Sequence, residues 1–249
     1  MQQPPREQAF RAGRRQVAIL FADIQGYTAV MGTDEPLAQR YLALFREHLH
    51  QAVPAHNGEV INFYGDGCVA TFESAVDATN CSIRLQTAFQ NSDPVLPVRI
   101  GLHSGEVFFD ESSVYGDNVN IASRVESMGV PGSVLVSARI YRDIANKGIF
   151  TAEDLGPFEF KNVDEPMNLF AITAAELVVP AREELNGKGR ALPRERANRI
   201  PAAGKRWPLA MAAGILFLLA GYWFFLRGSF TAEEGYYATD EIRSARIAV

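Results

Sequence analysis

Two aspartates that follow strand-like segments are the strongest candidates for chemistry in this chain. Asp23 follows residues 17–21, a run too short and too continuously apolar for an amphipathic helix, which is predicted to be a buried strand. Because a lone carboxylate in an apolar strand is costly to desolvate, a metal ion or a basic partner is expected beside it. The turn Gly26-Tyr27-Thr28 can point backbone N–H groups at an anion ahead of a helix. Together they suggest a site for a metal-bound polyphosphate.

The second aspartate, Asp66, lies in a predicted hairpin. Residues 59–64 and 68–72 are predicted to be strands, and Gly-Asp-Gly at 65–67 is a tight-turn signal between them. Because both strands are apolar, we expect the hairpin to lie beside the first strand in one sheet, which brings Asp66 near Asp23. Two carboxylates that share a site repel each other unless divalent cations bridge them, and two metal ions suit in-line displacement at phosphorus.

A third motif, Val-Tyr-Gly-Asp-Asn-Val-Asn-Ile-Ala-Ser-Arg-Val-Glu, occupies residues 114–126. Taken in order, Phe-x-Asp-Ile, Gly-Asp-Gly and Gly-Asp-x-Val-Asn-x-Ala-Ser-Arg resemble the catalytic domain of the class III nucleotidyl cyclases, over roughly residues 16–173. The alternation of strands and helices, with the helices expected on one face of the sheet, predicts an α+β sandwich. The resemblance implies that its core is the ferredoxin-like core of that family.

The resemblance also implies an intramolecular reaction. The ribose 3′-hydroxyl of a nucleoside triphosphate would attack its own α-phosphate, and pyrophosphate would leave. Two Mg²⁺ (or Mn²⁺) ions held by Asp23, Asp66 and the carbonyl of Ile24 would activate the hydroxyl and hold the triphosphate. The turn residues that would complete the phosphate cradle are Gly26, Tyr27 and Thr28.

Two further residues are implied to be catalytic. Asn120 and Arg124 are four residues apart, so on a helix they point the same way. Asn120 would orient the ribose, and Arg124 would neutralise charge developing on the α-phosphate. Lys161, in Phe-Lys-Asn, matches the lysine that in the family reaches the β- and γ-phosphates.

The base preference depends on two positions. Asn62 aligns with the adenine-reading lysine of many adenylate cyclases, and Ser113 aligns with that lysine's partner. Asn62 can donate to adenine N1 and accept from the N6 amine, so ATP is the expected substrate. The Glu and Cys pairing of guanylate cyclases is also absent. Because neither purine-specific pairing is present, a guanylate or pyrimidine nucleotide cyclase is the alternative.

In the family these groups come from two protomers. The resemblance therefore implies a head-to-tail homodimer with two equivalent sites. Asp23 and Asp66 of one chain would face five residues of the other, namely Asn62, Ser113, Asn120, Arg124 and Lys161.

Local signals predict the elements that must position these residues. Thr33 or Asp34 can cap a helix that ends before Gly58, and Ser74 can cap a second one. Paired strands are predicted at 98–103 and 106–109 around Ser104-Gly105, with His103 in a structural role. A strand at 133–137, a helix at 138–146 and two strands within 150–171 complete the domain. The histidines of the first helix and its exit are predicted to be solvated or to cap the helix. They are His48, His50 and His56.

Composition limits the classes of function. The 249 residues are 47% hydrophobic and 21% charged, with a formal net charge of −5, which suits one good core plus additional segments. A nucleic-acid-binding domain would show clustered Lys and Arg, so no nucleic-acid partner is expected. Cys68 and Cys81 lack metal-ligand spacing and are predicted to be buried thiols of a reducing compartment.

The segments outside the predicted 16–175 catalytic domain differ in kind. Residues 1–15 are predicted to be a flexible N-terminal segment, and the Pro-, Gly- and charge-rich residues 176–206 a basic linker. Residues 207–226 carry no charge and are long enough to span a bilayer as one helix. The basic run before this helix predicts a single-pass protein of the inner or plasma membrane, with a cytoplasmic catalytic domain and a short extracytoplasmic tail at 227–249.

Two other functions compete with that of a nucleotidyl cyclase. One is a catalytically silent cyclase-like domain that binds nucleotide or dimerises to regulate a partner. Such a domain has no physical need for two metal carboxylates, so the presence of Asp23 and Asp66 argues against it. The other is a diguanylate cyclase or polymerase-palm relative, but the Gly-Gly-Asp-Glu-Phe type of hairpin is missing and Asn120 and Arg124 have no role in it.

Overall fold

A long strand through the middle of the sheet organises the fold. The computed structural model describes residues 13–110, 113–163, 165–185, 187 and 189–193. In it, β1 (Gly13–Ile24) pairs antiparallel with β3 (Gly67–Phe72) on one side and β4 (Val98–Asp110) on the other. The predicted buried strand is confirmed and is longer at both ends. Residues 13–15, predicted to be flexible, therefore belong to β1, where they pair with β4.

The other elements alternate along the chain. They are α1 (Tyr27–Thr33), α2 (Glu35–Ala55), β2 (Gly58–Tyr64), α3 (Ala75–Gln90), β5 (Ser113–Tyr115), α4 (Asp117–Ser127), β6 (Val134–Ser137), α5 (Ala138–Ala145), β7 (Thr151–Phe160), β8 (Met167–Thr173) and β9 (Gly189–Ala191). In the described part of the chain the strands form one sheet in the order β2-β3-β1-β4-β6-β8-β7-β9, and β5 pairs with β4. The antiparallel set β2-β3-β1-β4, with α2 and α3 in its connections, is a ferredoxin-like core, as expected.

Side-chain caps fix where the first long helices begin. Asp34 accepts a hydrogen bond from the backbone N–H of Leu37 at 3.0 Å, and Ser74 accepts one from that of Asp77 at 3.3 Å. Each cap satisfies a donor that has no partner inside its helix. Both predicted helix starts are confirmed.

The predicted break in the middle of β4 is wrong. Residues 98–110 form one continuous strand rather than two strands around Ser104-Gly105. The reason lies in its neighbour, because β1 pairs with β4 along its whole length, from Gly13 opposite Phe109 to Ile24 opposite Val98. Gly105 is required by a close helix contact rather than by a turn, as described below.

Helices cover both faces of the sheet, whereas the sequence predicted one face. On one face, Leu20 of β1 shares a buried cluster with residues of α2, α3 and α5. On the opposite face, Ile19 shares a cluster with Ala122 of α4, and Val125 of α4 packs in a cluster with residues of β6 and β8. Because successive side chains of a strand point to opposite faces, Ile19 reaches the face against which α4 packs.

The described part of the predicted linker is packed onto the domain. After β8 come a 3₁₀ turn at Arg182–Glu184 and strand β9, which pairs antiparallel with β7. The guanidinium of Arg182 donates to the carbonyls of Leu155, Pro157 and Leu192. The buried apolar residues of this segment are Leu177, Leu185 and Leu192. The linker prediction is thus wrong for the described residues between 176 and 193, where a few widely spaced leucines anchor a polar sequence.

The predicted membrane helix at 207–226 and the tail at 227–249 lie outside the described residues. Across the ranges that the structure does describe, no helix combines the length and the apolar character needed to cross a bilayer.

Candidate active site

The two predicted metal carboxylates belong to neighbouring strand ends. Asp23 lies opposite Gly67 in the β1–β3 ladder, and a Cβ placed on Gly67 would be 3.4 Å from Asp23 Oδ1. The N–H of Ile24 donates to the carbonyl of Asp66 at 3.3 Å. The hairpin therefore lies beside the end of β1, as the sequence predicted, and both aspartates are partly exposed there.

Asp23 has a basic partner that the sequence analysis did not name. Arg99 of β4 lies opposite Asp23, and its Nη2 is 2.9 Å from Asp23 Oδ2. The same guanidinium reaches α4, where Nε is 2.5 Å from Oε1 of the buried Glu126. Of the two expectations for Asp23, a metal ion or a basic partner, the structure shows the second. A signal was present in the alternation of β4, where Arg, Gly and His at positions 99, 101 and 103 alternate with apolar residues at 98, 100 and 102.

The donor set at this edge fits a metal ion that is shared with a substrate. Within the described ranges no group of three or more His, Cys, Asp or Glu side chains could hold a metal ion. Mg²⁺ commonly uses only one or two protein carboxylates together with substrate phosphates and water. Asp23 and Asp66, with the nearby backbone, provide such a partial set.

The predicted anion-binding turn directly follows β1. Gly26 has φ 79° and precedes α1, and no side chain caps that helix start. A residue with a Cβ is strained at this φ, so glycine lets the chain turn sharply beside Asp23. The first-turn N–H groups of α1, which include those of Tyr27 and Thr28, can therefore face an anion.

Asn120 and Arg124 both lie on α4, one helical turn apart, as their spacing predicted. Asn120 is exposed and Arg124 is half-buried, whereas Ala122 and Val125 of the same helix are buried against the sheet. The two polar side chains thus share the part of α4 that points away from the core.

Ser113, one of the two predicted base-reading residues, contacts a tyrosine of the strand that carries the other, Asn62. The hydroxyl of Tyr64 is 3.2 Å from Oγ of Ser113, and Tyr64 lies two residues after Asn62 on the same side of β2. Oδ1 of Asn62 accepts from the N–H of Phe63 at 2.8 Å, which leaves the Nδ2 amide to donate elsewhere. The sequence analysis did not name Tyr64, whose importance depends on a contact between distant segments.

Lys161 lies at the turn after β7, at the edge of a cleft of about 640 Å³. The cleft is lined by the β7 end and by the segment around β9, which contributes Arg190. Arg190 in turn pairs with Glu159, with Nη2 2.5 Å from Oε2. A second positively charged side chain, that of Arg190, therefore lines the same cleft as Lys161. It belongs to a segment that the sequence predicted to be a linker.

The cysteines are buried thiols, as predicted, and the histidines of α2 and its exit make ordinary contacts with protein groups. Cys68 and Cys81 are buried free thiols, and burial raises the pKa of each to about 12. The histidine contacts are local or packing contacts: His48 with Ser92, His56 with the carbonyl of Ala52, and His50 with the ring of Phe63.

Comparisons with known proteins agree on one family. The family model described as "Adenylate and Guanylate cyclase catalytic domain" matches residues 11–174. Over 164 residues the chain is 34% identical to "Putative adenylate cyclase 3" of Rhizobium meliloti (strain 1021), which covers 63% of this chain and 28% of that protein. The chain thus spans well under a third of that relative's length.

Solved structures of the same type share the fold. An adenylate/guanylate cyclase/hydrolase from Silicibacter pomeroyi is 29% identical, with a TM-score of 0.60 over 66% of this chain and 99% of that one. The guanylyl cyclase Cya2 is 21% identical, with a TM-score of 0.57 over 68% of this chain and 96% of that one. These neighbours carry both cyclase names, so their folds do not distinguish the two nucleotides.

Proposed function

The chain belongs to the adenylate and guanylate cyclase catalytic domain family, and we propose that it converts ATP to 3′,5′-cyclic AMP and pyrophosphate in signal transduction. The observation that carries the proposal is the position of Asp23 beside the hairpin of Asp66, at a strand edge next to the Gly26 turn. A nucleotide-binding module without catalysis would not need two carboxylates at such an edge.

The proposed step is one displacement at phosphorus. The ribose O3′ forms a bond to the α-phosphorus, the bond from that phosphorus to the bridging oxygen of the β-phosphate breaks, and pyrophosphate leaves with the electron pair. The 3′-hydroxyl proton passes to solvent. Positioning and charge stabilisation supply most of the catalysis in such transfers.

The residues at the edge of β1 would hold the metal ions. Asp23 and Asp66 would provide carboxylate ligands, and Ile24 would add its carbonyl. Bound Mg²⁺ or Mn²⁺ would lower the pKa of the 3′-hydroxyl and polarise the phosphates. The N–H groups that follow Gly26 would bind phosphate oxygens, and Arg99 adds positive charge beside Asp23.

The remaining groups would come from a second copy of the chain. Asn120 would hold the ribose so that its hydroxyl is in line with the leaving group, and Arg124 would stabilise the charge on the α-phosphate. Lys161 would reach the β- and γ-phosphates. A head-to-tail homodimer would complete two such sites.

Adenine is the preferred base in this proposal. The outward Nδ2 of Asn62 can donate to adenine N1, and a hydroxyl of the Tyr64–Ser113 pair can accept from the N6 amine. The same groups support GTP as the second candidate, because Nδ2 can donate to guanine O6 and a hydroxyl can accept from N1–H. Each hydroxyl both donates and accepts, so the pair discriminates weakly between the two bases.

We also propose that the protein is anchored in the inner or plasma membrane by residues 207–226, with the catalytic domain in the cytoplasm. The support is the uncharged sequence and the basic run before it. Membrane fractionation followed by protease treatment of sealed vesicles tests this arrangement. Recovery of the protein in the soluble fraction, or digestion of the catalytic domain in intact right-side-out vesicles, contradicts it.

The experiment that tests the activity uses the full chain with Mn²⁺ or Mg²⁺ and each of ATP, GTP, CTP and UTP in separate reactions. Products are identified by mass. Cyclic AMP as the dominant product supports the proposal, whereas a different cyclic nucleotide overturns the base assignment. No product from any of the four by a protein shown to be dimeric supports the silent regulatory domain instead.

A further inference from the structure

Helix α4 lies directly against the backbone of β4 at two glycines. A Cβ on Gly101 would be 2.2 Å from the backbone nitrogen of Glu126, and one on Gly105 would be 2.2 Å from Cγ of Asn118. At Gly101 the neighbour is helix backbone, so only glycine lets α4 approach this closely, and at Gly105 a side chain would displace the amide group of Asn118. Because side chains alternate along a strand, the residue between the two glycines on this face is His103.

His103 is fully buried and has a hydrogen-bond partner at each ring nitrogen. Nδ1 is 2.8 Å from Oγ of Ser137, and Nε2 is 3.1 Å from Oδ1 of Asn118. Nδ2 of Asn118 donates to the carbonyl of Glu106 at 2.8 Å, so its Oδ1 is the atom that faces the ring. Oδ1 can only accept, and therefore the His103 proton is on Nε2 and the Ser137 hydroxyl donates to Nδ1.

The ring remains in this one protonation state at neutral pH. Burial lowers the pKa of His103 to about 4, and the positive charge of Arg139 acts in the same direction, while the hydrogen bond to Asn118 opposes them. Nη1 of Arg139 also lies 3.5 Å from Oδ1 of Asn118. His103 is thus a fixed donor toward the first turn of α4.

We propose that His103 and Asn118 form a positioning pair, which fixes the rotation and the axial position of α4 and thereby places Asn120 and Arg124. Asn118 is in the first turn of the helix, two residues before Asn120. The residue before this helix, Gly116, offers no side-chain cap. Glycines have no side chain that could fix the rotation of the helix or its position along the strand. The hydrogen bonds of Asn118 therefore fix both.

This proposal rests on the proposed function, because the positions of Asn120 and Arg124 matter to turnover only if the protein cyclises a nucleotide. Displacing a positioned catalytic group by about 1 Å can lower turnover by about a hundredfold. Loss of the pair should therefore reduce kcat more than it weakens nucleotide binding.

The test compares variants that keep or remove the hydrogen bond. His103→Gln keeps an N–H near the Nε2 position, whereas His103→Asn is too short to reach Asn118, and Asn118→Ala removes the acceptor. We expect His103→Asn and Asn118→Ala to lower kcat at least about tenfold with KM for ATP changed less than about threefold. His103→Gln should recover most of that loss.

The control is Gln86→Leu on the other face of the sheet. Gln86 is buried and donates to the carbonyls of Val98 and Ser133, so its loss also removes two buried hydrogen bonds, but far from Asn118. It should lower the midpoint of thermal unfolding and leave kcat unchanged well below that midpoint. If Asn118→Ala behaves in the same way, the pair is merely structural and the proposal is wrong.

Hydrogen exchange separates this proposal from the proposed function. Amides of α4 should exchange faster in Asn118→Ala than in Gln86→Leu at equal global stability, whether or not the protein turns over nucleotide. Unchanged exchange in α4 overturns the positioning role. If α4 exchanges faster in Asn118→Ala but the wild-type protein yields no cyclic nucleotide, the contact is real and the enzymatic function on which its role depends is overturned.

Discussion

Nη2 of Arg99 lies 2.9 Å from Oδ2 of Asp23, and the same guanidinium contacts Glu126 on α4. The carboxylate proposed to bind a metal ion therefore has a positively charged neighbour from an adjacent strand. The Arg99 guanidinium thus offsets the negative charge of Asp23 at a partly buried strand end. A metal ion would compete with Arg99 for the same carboxylate, which gives the first prediction.

We predict that Arg99→Gln strengthens Mn²⁺ binding in the absence of nucleotide. Two opposite charges this close attract by up to about 4 kcal/mol at an effective dielectric constant near 20, and partial exposure reduces the value. We expect an affinity gain of about tenfold, measured by calorimetry or by electron paramagnetic resonance of Mn²⁺. Arg14→Gln, which breaks the exposed pair with Glu106, is the control and should have no effect. Equal or weaker Mn²⁺ binding by Arg99→Gln would show that the two cations do not compete.

Asp66→Asn should abolish turnover without harming the fold. A partly exposed carboxylate near another one repels it, so neutralising Asp66 relieves repulsion in the metal-free protein. We expect kcat to fall by at least about a hundredfold while the midpoint of thermal unfolding stays the same or rises. Asp93→Asn, at an exposed carboxylate 3.8 Å from Arg40, is the matched control. Wild-type activity in Asp66→Asn would rule out its role as a metal ligand.

Mixing two inactive variants tests the shared site. If Asp66 acts in one protomer and Arg124 in the other, co-expression of Asp66→Asn with Arg124→Ala yields heterodimers in which one of the two sites is intact. With random pairing we expect about a quarter of wild-type activity. Each variant alone should be inactive. Failure to recover activity, with heterodimers demonstrated by differential tags, would indicate that one protomer supplies both groups.

The buried ring of His103 predicts a loss of stability in mild acid. Its pKa is lowered from 6.5 to about 4 in the folded protein, so between these values the unfolded chain binds a proton that the folded one does not. Stability should therefore fall as the pH falls through this window. The expected loss from pH 7 to pH 5 is about 2 kcal/mol, measured by urea unfolding. His103→Gln should lack this contribution, and an equal loss in both proteins would contradict it.

Local signals in the sequence predicted most of the elements. Asp34 and Ser74 cap helices through contacts only three residues away, and the Gly-Asp-Gly hairpin needs only its own flanking strands. The order of the three motifs predicted the family. Each of these inferences depends on neighbours in the chain, where residue type and spacing are sufficient.

Contacts between distant segments explain what the sequence did not predict. Arg99 meets Asp23 across 76 positions, and Tyr64 meets Ser113 across 49. Ser104-Gly105 predicts a turn, but the actual constraint on Gly105, the side chain of Asn118, belongs to another element. The polar composition of the segment after β8 predicts a linker, but its buried leucines are too widely spaced to form a pattern.

The short strand β9 also protects the sheet. It pairs with β7 from Phe158 to Phe160, and so occupies backbone N–H and C=O groups that would otherwise face solvent. An open edge strand is a template for pairing with other chains. A protein that ends at residue 175 would expose this edge, and its characteristic failure would be aggregation rather than faulty chemistry. Expression of the domain by itself therefore requires a boundary after residue 193.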